Sequence, residues 1–215
     1  MLTASPSLWI DSSQSIILDT SAAINLNATG YLERIVEALP SPVAVTEILM
    51  IELKRGLDAG YSDFDSINGL LRQGQIDVIG LCALSEPHFE SLVIGPATET
   101  LDDGEAATIA QAIALNAIPV IDERKANRLC ATRYPDLGLA SSLDILLQPS
   151  VTQALGLDGL RQGTVRALQV AKMQIPRCFE EWIVGFIGFE TASGCSSLPR
   201  HLLKKFEGDG SNHAR

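Results

Sequence analysis

The segment Ile16–Ser21 constrains the fold most, because a short apolar run ends there at a carboxylate just before a helical pattern. Such a run predicts a buried strand, and Thr20 or Ser21 is placed to cap the helix that follows. Ligands of open α/β sheets bind beyond the carboxyl ends of the strands, where Asp19 would lie. A carboxylate buried there is costly unless it is paired or bound to a cation, so Asp19 is a candidate site residue.

Short apolar runs recur along the chain and alternate with helical patterns. The runs that predict strands are Ser15–Leu18, Val43–Val45, Ile76–Ile79 and Ile118–Ile121, with a weaker candidate at Leu137–Leu139. Strands that alternate with helices are typical of βαβ units and a parallel sheet. We therefore expect an α/β fold of three layers, α/β/α, around a central and mostly parallel sheet of four or five strands.

Three parts of the chain differ in pattern. Residues 12–150 are expected to form the α/β domain, and residues 151–189 a helical extension that Pro176 interrupts. Residues 190–215 are rich in Gly, Ser and charge, which predicts a disordered tail. Dimerisation, covering a pocket and docking a partner all stay open as roles of the extension.

The composition narrows the classes of function. The chain has 215 residues, 46% of them hydrophobic, and a net charge of −10. That charge argues against broad electrostatic binding of nucleic acid, but it is compatible with acids balanced by bound cations or with a local basic rim. The four Cys and three His residues show no zinc-ligand spacing, so any metal would be held by oxygen. With no membrane-length apolar run and no secretory signal, a cytoplasmic protein that does not enter the membrane is expected.

Two acids lie on the helix predicted after Val43–Val45. Glu47 is near the start of the helix, where the helix dipole favours any acid, so its position needs no functional explanation. Glu52 lies deeper in the helix, between Ile51 and Leu53. It is either the polar edge of an amphipathic helix or a site residue.

A third group of acids opens a later helix. Capping and the helix dipole explain Asp102 or Asp103. Glu105 precedes Ile109 and Ala112 by four and seven residues, so it shares their apolar face. A merely solvated acid would not be expected on that face, which makes Glu105 a candidate site residue.

Asp122 repeats the placement of Asp19, at the end of the apolar run Ile118–Ile121 and before a helix. Capping would explain Asp122 and surface exposure would explain Glu123. Because parallel strands end at the same edge of a sheet, we expect Asp19 and Asp122 to lie side by side.

Together these positions predict one acidic cluster. Its members are Asp19, Glu52, Glu105 and Asp122, with Glu123 as an alternative. Carboxylates that lie within several ångströms raise one another's pKa unless a cation balances them. Oxygen-rich acidic sites suit Mg²⁺ or Mn²⁺, which leave coordination positions open for water and phosphate.

Four segments of this pattern resemble the PIN-domain family, which includes VapC-like toxins, over roughly residues 15–148. The segments are Leu18-Asp19-Thr20-Ser21, Glu52-Leu53-x-x-Gly56, Gly104-Glu105-Ala106-x-x-Ile109-Ala110 and Ile121-Asp122-Glu123-Arg124-Lys125-Ala126-x-Arg128. The last two are most similar to a subgroup with a G-E-A helix start and an I-D-D/E-R-K strand exit. The resemblance implies a PIN-like parallel sheet flanked by helices.

The resemblance also implies a function. It predicts a divalent-metal-dependent endoribonuclease that hydrolyses single-stranded RNA with Mg²⁺ or Mn²⁺. Asp19, Glu52, Glu105 and Asp122 would be catalytic and bind the metal directly or through water, and Thr20 or Ser21 would orient Asp19 or a metal-bound water. Toxin members of the family have an antitoxin partner; a homodimer is also open.

Two departures from the family pattern matter. Many members have Asp at the position of Glu105 and a T-x-D strand exit at the position of Ile121-Asp122-Glu123, so either Asp122 or Glu123 is the fourth acid. Basic residues follow this exit, and they either grip the RNA backbone or form a solvated helix face. They are Arg124, Lys125 and Arg128.

Other classes of protein share parts of this sequence pattern. A catalytically weak or inactive PIN-like module that binds RNA or a protein is the alternative that the departures favour. Dehalogenase-type phosphatases need a second Asp where Ser21 stands. Aspartic proteases have a similar hydrophobic-Asp-Thr motif, but they are all-β, whereas a helical pattern follows Asp19 here.

Overall fold

The computed structural model describes Ile10 and residues 13–204, and a four-stranded parallel sheet lies at its centre. The strands are β1 (Ile16–Leu18), β2 (Val43–Thr46), β3 (Ile76–Ile79) and β4 (Ile118–Val120). Their order in the sheet is β3-β2-β1-β4. All residues of β1, β2 and β4 are buried, as continuous apolar runs in a parallel sheet require. The α/β fold expected from the sequence is confirmed.

The weak strand candidate at Leu137–Leu139 was wrong. These residues form no strand, although the next residue, Ala140, makes an isolated parallel bridge with Val120. The bridge extends the edge of the sheet beside β4 by a single residue. The apolar run therefore lies at the predicted edge of the sheet, but it does not form a strand.

Helices surround the sheet. Before residue 150 they are α1 (Thr20–Ala28), α2 (Leu32–Ala38), α3 (Glu47–Asp58), α4 (Asp63–Arg72), α5 (Glu86–Val93), α6 (Asp103–Leu115), α7 (Arg124–Arg133), α8 (Ser142–Leu146) and the start of α9 (Pro149–Arg166). The sequence pattern does not predict α5, in which Leu92 is the only fully buried side chain.

The chain after residue 166 turns back toward the sheet. A π-helical turn (Ala167–Ala171) follows α9, and Lys172 then adopts a left-handed conformation with φ 57°. A 3₁₀ turn (Arg177–Phe179) leads into α10 (Glu180–Ile187) and α11 (Phe189–Ser193). The helical extension therefore folds over the domain instead of projecting from it.

This extension shares the core of the sheet. Phe179, Ile183 and Leu198 belong to the same buried cluster as Ile16 of β1. The structure differs from the expected tail over residues 190–204, because Ala192, Cys195, Leu198 and Leu202 are all buried. Residues 205–215 lie outside the described residues, and the boundaries at 150 and 189 remain predictions.

None of the helices described between residues 13 and 204 is both long enough and apolar enough to cross a membrane.

The packing of the extension can be tested at Leu198, which is 3% exposed. We expect Leu198→Ala to lower the free energy of unfolding by about 2–4 kcal/mol, since it removes buried methyl groups and leaves a cavity. Leu115→Ala is the matched control, because Leu115 is 53% exposed. Urea denaturation measures both, and equal stabilities would contradict the packed arrangement of residues 190–204.

Candidate active site

A cavity of about 510 Å³ opens at the carboxyl ends of β1 and β4 and is lined by acidic side chains. The acids are Asp19, Glu52, Asp102, Glu105, Asp122 and Glu123, and Thr20 and Ser21 also line the cavity. The structure therefore brings together every acid that the sequence selected and adds Asp102. We call this space the acid cavity.

Asp19 reaches the acid cavity because β1 pairs with β4 in parallel. Leu18 is opposite Val120, and the Asp19 backbone N–H donates to the Val120 carbonyl at 3.1 Å. Asp19 itself caps α1, not Thr20 or Ser21: its Oδ2 accepts hydrogen bonds from the Ser21 N–H at 3.2 Å and the Ser21 Oγ at 2.7 Å. Burial raises the pKa of Asp19 to about 6 despite these bonds.

Glu52 is held between α1 and α6. The Thr20 hydroxyl donates a hydrogen bond to Glu52 Oε2. On the other side, a Cβ added at Gly104 would lie 2.9 Å from Glu52 Oε2, so no larger residue fits there without displacing the carboxylate. The glycine of the Gly104-Glu105-Ala106 motif thus lets the Glu52 carboxylate approach the start of α6.

Glu105 has a strongly raised pKa. Its side chain is buried, and burial is the first cause that raises its pKa to about 8. The next causes are the negative charges of Asp102, Asp19 and Glu123. The negative charges of these acids therefore repel one another. A bound cation would offset this repulsion.

Asp122 is buried and forms hydrogen bonds with its neighbours. Oδ2 accepts hydrogen bonds from Asn25 Nδ2 at 2.6 Å and from Ser142 Oγ at 2.5 Å, and Oδ1 accepts one from the Ser142 N–H at 2.8 Å. Burial raises its pKa, and these hydrogen bonds oppose that rise. Asp122 therefore joins β4 to α1 and α8 as well as lining the cavity.

Glu123 differs from Asp122 in its contacts. It caps α7, with Oε1 accepting from the Lys125 N–H at 3.2 Å, and its Oε2 accepts from Gln174 Nε2 at 3.1 Å. Both Asp122 and Glu123 line the cavity, so both positions of the fourth acid stay open. Glu123 is less buried than Asp122, and its carboxylate accepts fewer of the described hydrogen bonds.

Sequence reasoning missed four polar lining residues, Asn25, Asp102, Lys172 and Gln174. Asp102 was assigned to capping, which it does perform by accepting from the Glu105 N–H at 2.9 Å. Asn25 carried a signal, since it is a polar residue on a face buried with Ala22 and Leu26. Lys172 and Gln174 carried none, because their position depends on how the extension folds back.

The three basic residues after Asp122 do not line the acid cavity. Lys125 Nζ donates to the Ala97 carbonyl at 2.7 Å, and Arg124 Nη2 lies 3.8 Å from Glu180 Oε1. Arg124 and Arg128 line a neighbouring cavity instead. That these residues bind the RNA backbone stays a prediction.

The acid cavity offers carboxylate oxygens, which are the donors that a divalent cation such as Mg²⁺ prefers. Among Ile10 and residues 13–204, no group of three or more His, Cys, Asp or Glu side chains is arranged to hold a metal ion. Mg²⁺ typically takes one or two carboxylates and completes its shell with water and phosphate, so it does not require such a group. The buried carboxylates of the acid cavity repel one another, and a pair of them would suit Mg²⁺ or Mn²⁺.

Comparison with known families agrees with this geometry. The chain matches a family model described as PIN domain over residues 15–171, more than half of its length. The protein belongs to the PIN-domain family. Members of this family are generally nucleases. The match ends one residue before Lys172, so the PIN-domain model does not include Lys172 and Gln174, which complete the wall of the acid cavity.

Comparisons with individual proteins add little. One similar solved chain is in the crystal structure of VapBC2 from Rickettsia felis bound to a DNA fragment from their promoter. It is 18% identical, with a TM-score of 0.42, and the alignment covers 60% of this PIN-domain chain and 98% of that chain. A search of curated proteins finds no match.

The contact between Gly104 and Glu52 gives a first test of the site. Alanine normally stabilises a helix relative to glycine by about 0.5–1 kcal/mol, and Gly69→Ala, on open space in α4, should show that gain. Gly104→Ala should show little or none of that gain, because its methyl group must displace the Glu52 carboxylate, which lies at the end of a flexible side chain. Urea denaturation compares the two variants.

A double substitution isolates the cause. In a Glu52→Ala background, Gly104→Ala should show the full gain seen at Gly69, because the carboxylate that it would displace is gone. A gain at Gly104 as large as that at Gly69 in the wild-type background would contradict the proposed contact.

The raised pKa of Glu105 gives a second test. In metal-free protein its carboxyl favours the native state only while it holds its proton, so this contribution is lost as the pH rises from about 4.5 toward about 8. Glu105→Gln needs no proton. We expect its Tm to exceed that of the wild type by roughly 2–4 °C at pH 9, the shift that ~1 kcal/mol produces at this size, and to match it near pH 4.

Calorimetry in EDTA measures this difference. Glu90→Gln is the matched control, since Glu90 is exposed on α5 and should show no such pH-dependent gain. An equal Tm for Glu105→Gln and wild type at every pH would show that the carboxylate is not under electrostatic strain.

Proposed function

We propose that this protein is a divalent-metal-dependent endoribonuclease that hydrolyses phosphodiester bonds of single-stranded RNA. The observation that carries the proposal is the convergence of six acids in one cavity at the carboxyl end of a PIN-domain sheet. Buried acids whose charges raise one another's pKa favour a bound cation over a merely structural role.

The proposed direct ligands of Mg²⁺ or Mn²⁺ are a pair of acids that includes Glu105. Its partner is Asp19 or Glu123, both of which raise the pKa of Glu105 by their charge. When bound, such a cation supplies an activated water and offsets the charge that develops on the phosphate. Glu105, whose pKa is raised to about 8, gives up its proton as the cation binds.

Two of the remaining acids, Glu52 and Asp122, have positioning or water-mediated roles in this proposal. Glu52 is oriented by the Thr20 hydroxyl and by the space at Gly104. Both carboxylate oxygens of Asp122 accept hydrogen bonds from Asn25 and Ser142. Asp122 therefore does not bind the metal directly in this proposal, and it holds α1 and α8 in place. Ser21 fixes the carboxylate of Asp19 through its N–H and hydroxyl.

The surroundings of the cavity support an extended polyanionic substrate. The exposed Lys172 lines the cavity, where its ammonium group would offset phosphate charge. A second cavity with three arginines shares Asp122 with the acid cavity. In a chain with a net charge of −10, such local basic groups give an anionic strand a defined place to bind.

The proposal predicts cleavage of single-stranded RNA by the purified protein with Mn²⁺. Asp19→Asn and Glu105→Gln should each lower the rate by about 100-fold or more, because each removes a proposed ligand. Asp122→Asn should also lower the rate, since the amide cannot accept all three hydrogen bonds. Asp136→Asn is the matched control on an exposed loop and should keep the wild-type rate.

The measurement is the initial rate of cleavage of a labelled oligonucleotide, with EDTA as the blank. Equal cleavage by the wild type and by the Asp19, Glu105 and Asp122 variants would assign the activity to a contaminant and sink the proposal.

A second candidate is a PIN module that binds RNA or a protein without cleaving. It is favoured by the absence, among the described residues, of a group of three acids arranged around a metal. Titration with Mn²⁺ separates the two functions. The nuclease should give heat of binding and a higher Tm at millimolar Mn²⁺, whereas the non-catalytic module should give neither.

The resemblance to VapC-like toxins extends the proposal to a biological setting. As the toxin of a type II pair, the protein would act in the cytoplasm and bind a cognate antitoxin, and a homodimer would be compatible with that role. A short reading frame directly beside the gene, encoding a small partner that blocks RNA cleavage, is the finding that would support this setting.

A further inference from the structure

A second cavity, of about 570 Å³, adjoins the acid cavity and shares Asp122 with it. Three arginines line it, and we call it the arginine cavity. Arg124 and Arg128 are one helical turn apart on α7, and Arg177 comes from the 3₁₀ turn of the extension. Two separate parts of the chain therefore bring guanidinium groups to one place.

The lining of the arginine cavity combines apolar surface with polar groups. Ile121, Leu139, Ile175 and Pro176 supply the apolar part, and Asn127 and Ser141 are among the polar residues. A planar, mostly apolar ring with polar edges suits such a surface, and guanidinium planes can stack on it. A nucleobase has this chemistry, and the phosphate attached to it suits the arginines.

The charges of the cavity favour an anionic occupant. Among the ion pairs of the described residues, Arg124 with Glu180 is the only one that involves these arginines, at 3.8 Å. The acids of the lining, Asp122 and Asp144, accept hydrogen bonds from their serine neighbours. This concentration of cationic groups is unusual for a chain with a net charge of −10, and it is complementary to phosphate.

We propose that the arginine cavity binds one nucleotide of a single-stranded RNA, next to the phosphate held at the acid cavity. The base packs on the apolar lining and its phosphate meets Arg124, Arg128 and Arg177. The identity of the substrate rests on the proposed function, and the shared residue Asp122 places the two cavities side by side. Ile175, Pro176 and Arg177 lie beyond the PIN-domain match, so the extension contributes part of this subsite.

The test titrates the four 5′-ribonucleoside monophosphates into the full-length, metal-free protein. We expect saturable NMR shifts of the methyl groups of Ile121, Leu139 and Ile175. Arg128→Ala and Arg177→Ala should weaken binding about tenfold, the effect of losing one arginine contact to a nucleotide. Arg177→Lys, which keeps the charge but loses the planar fork, should fall between Arg177→Ala and wild type.

Two controls sharpen the result. Arg72→Ala removes an exposed arginine at the end of α4 and should leave the affinity unchanged. Inorganic phosphate should bind more weakly than the mononucleotides, because it lacks a base to pack on the apolar lining. Affinity for phosphate equal to that for every mononucleotide would overturn the nucleotide subsite.

The remaining outcomes separate this proposal from the nuclease proposal, because the titration needs neither metal nor cleavage. Absence of saturable shifts, or equal affinity of wild type and Arg177→Ala, would overturn the subsite even if the protein cleaves RNA. Arginine-dependent nucleotide binding without any cleavage would support the subsite and contradict the nuclease.

Discussion

The crowding of buried carboxylates at one end of the sheet is the constraint on which the rest of the site depends. Parallel pairing of β1 with β4 places Leu18 opposite Val120, so Asp19 and Asp122 leave the sheet at the same edge. Burial is the first cause of the raised pKa at Asp19, Glu105 and Asp122. The core that surrounds the strands thus keeps water from the acids and makes each of them sensitive to the charges of the others.

Short polar side chains decide how each acid responds to that burial. Asp122 receives hydrogen bonds from Asn25 and from Ser142, which contributes both its N–H and its hydroxyl. Asp19 receives two hydrogen bonds from Ser21. For Glu105 the only hydrogen bond that lowers the pKa is a backbone one near Asp102, and it is the last of the causes. The protein therefore compensates Asp122 internally and leaves Glu105 dependent on a proton or a cation.

The sequence was informative wherever chemistry followed from local spacing. Carboxylates at strand ends predicted the meeting of Asp19 and Asp122, and the spacing of Glu105 to Ile109 predicted its inward position. It was uninformative wherever a residue arrives from a distant segment, as Gln174 does at Glu123. The helix N-cap also differed, since Asp19 takes the place predicted for its neighbours. Local spacing therefore predicts which acids gather, whereas the folded chain decides which groups surround them.

The extension matters because a single backbone turn directs it into the site. Lys172 has a left-handed conformation, φ 57° and ψ 39°, which costs a residue with a Cβ about 1–2 kcal/mol relative to a helical one. Glycine would adopt it freely, yet the chain has lysine there, at the wall of the acid cavity. After this turn Gln174 reaches Glu123 and Arg177 reaches the arginine cavity. Glycine could make the same turn and position Gln174 and Arg177 without strain. The lysine is therefore explained if its own side chain contacts the substrate.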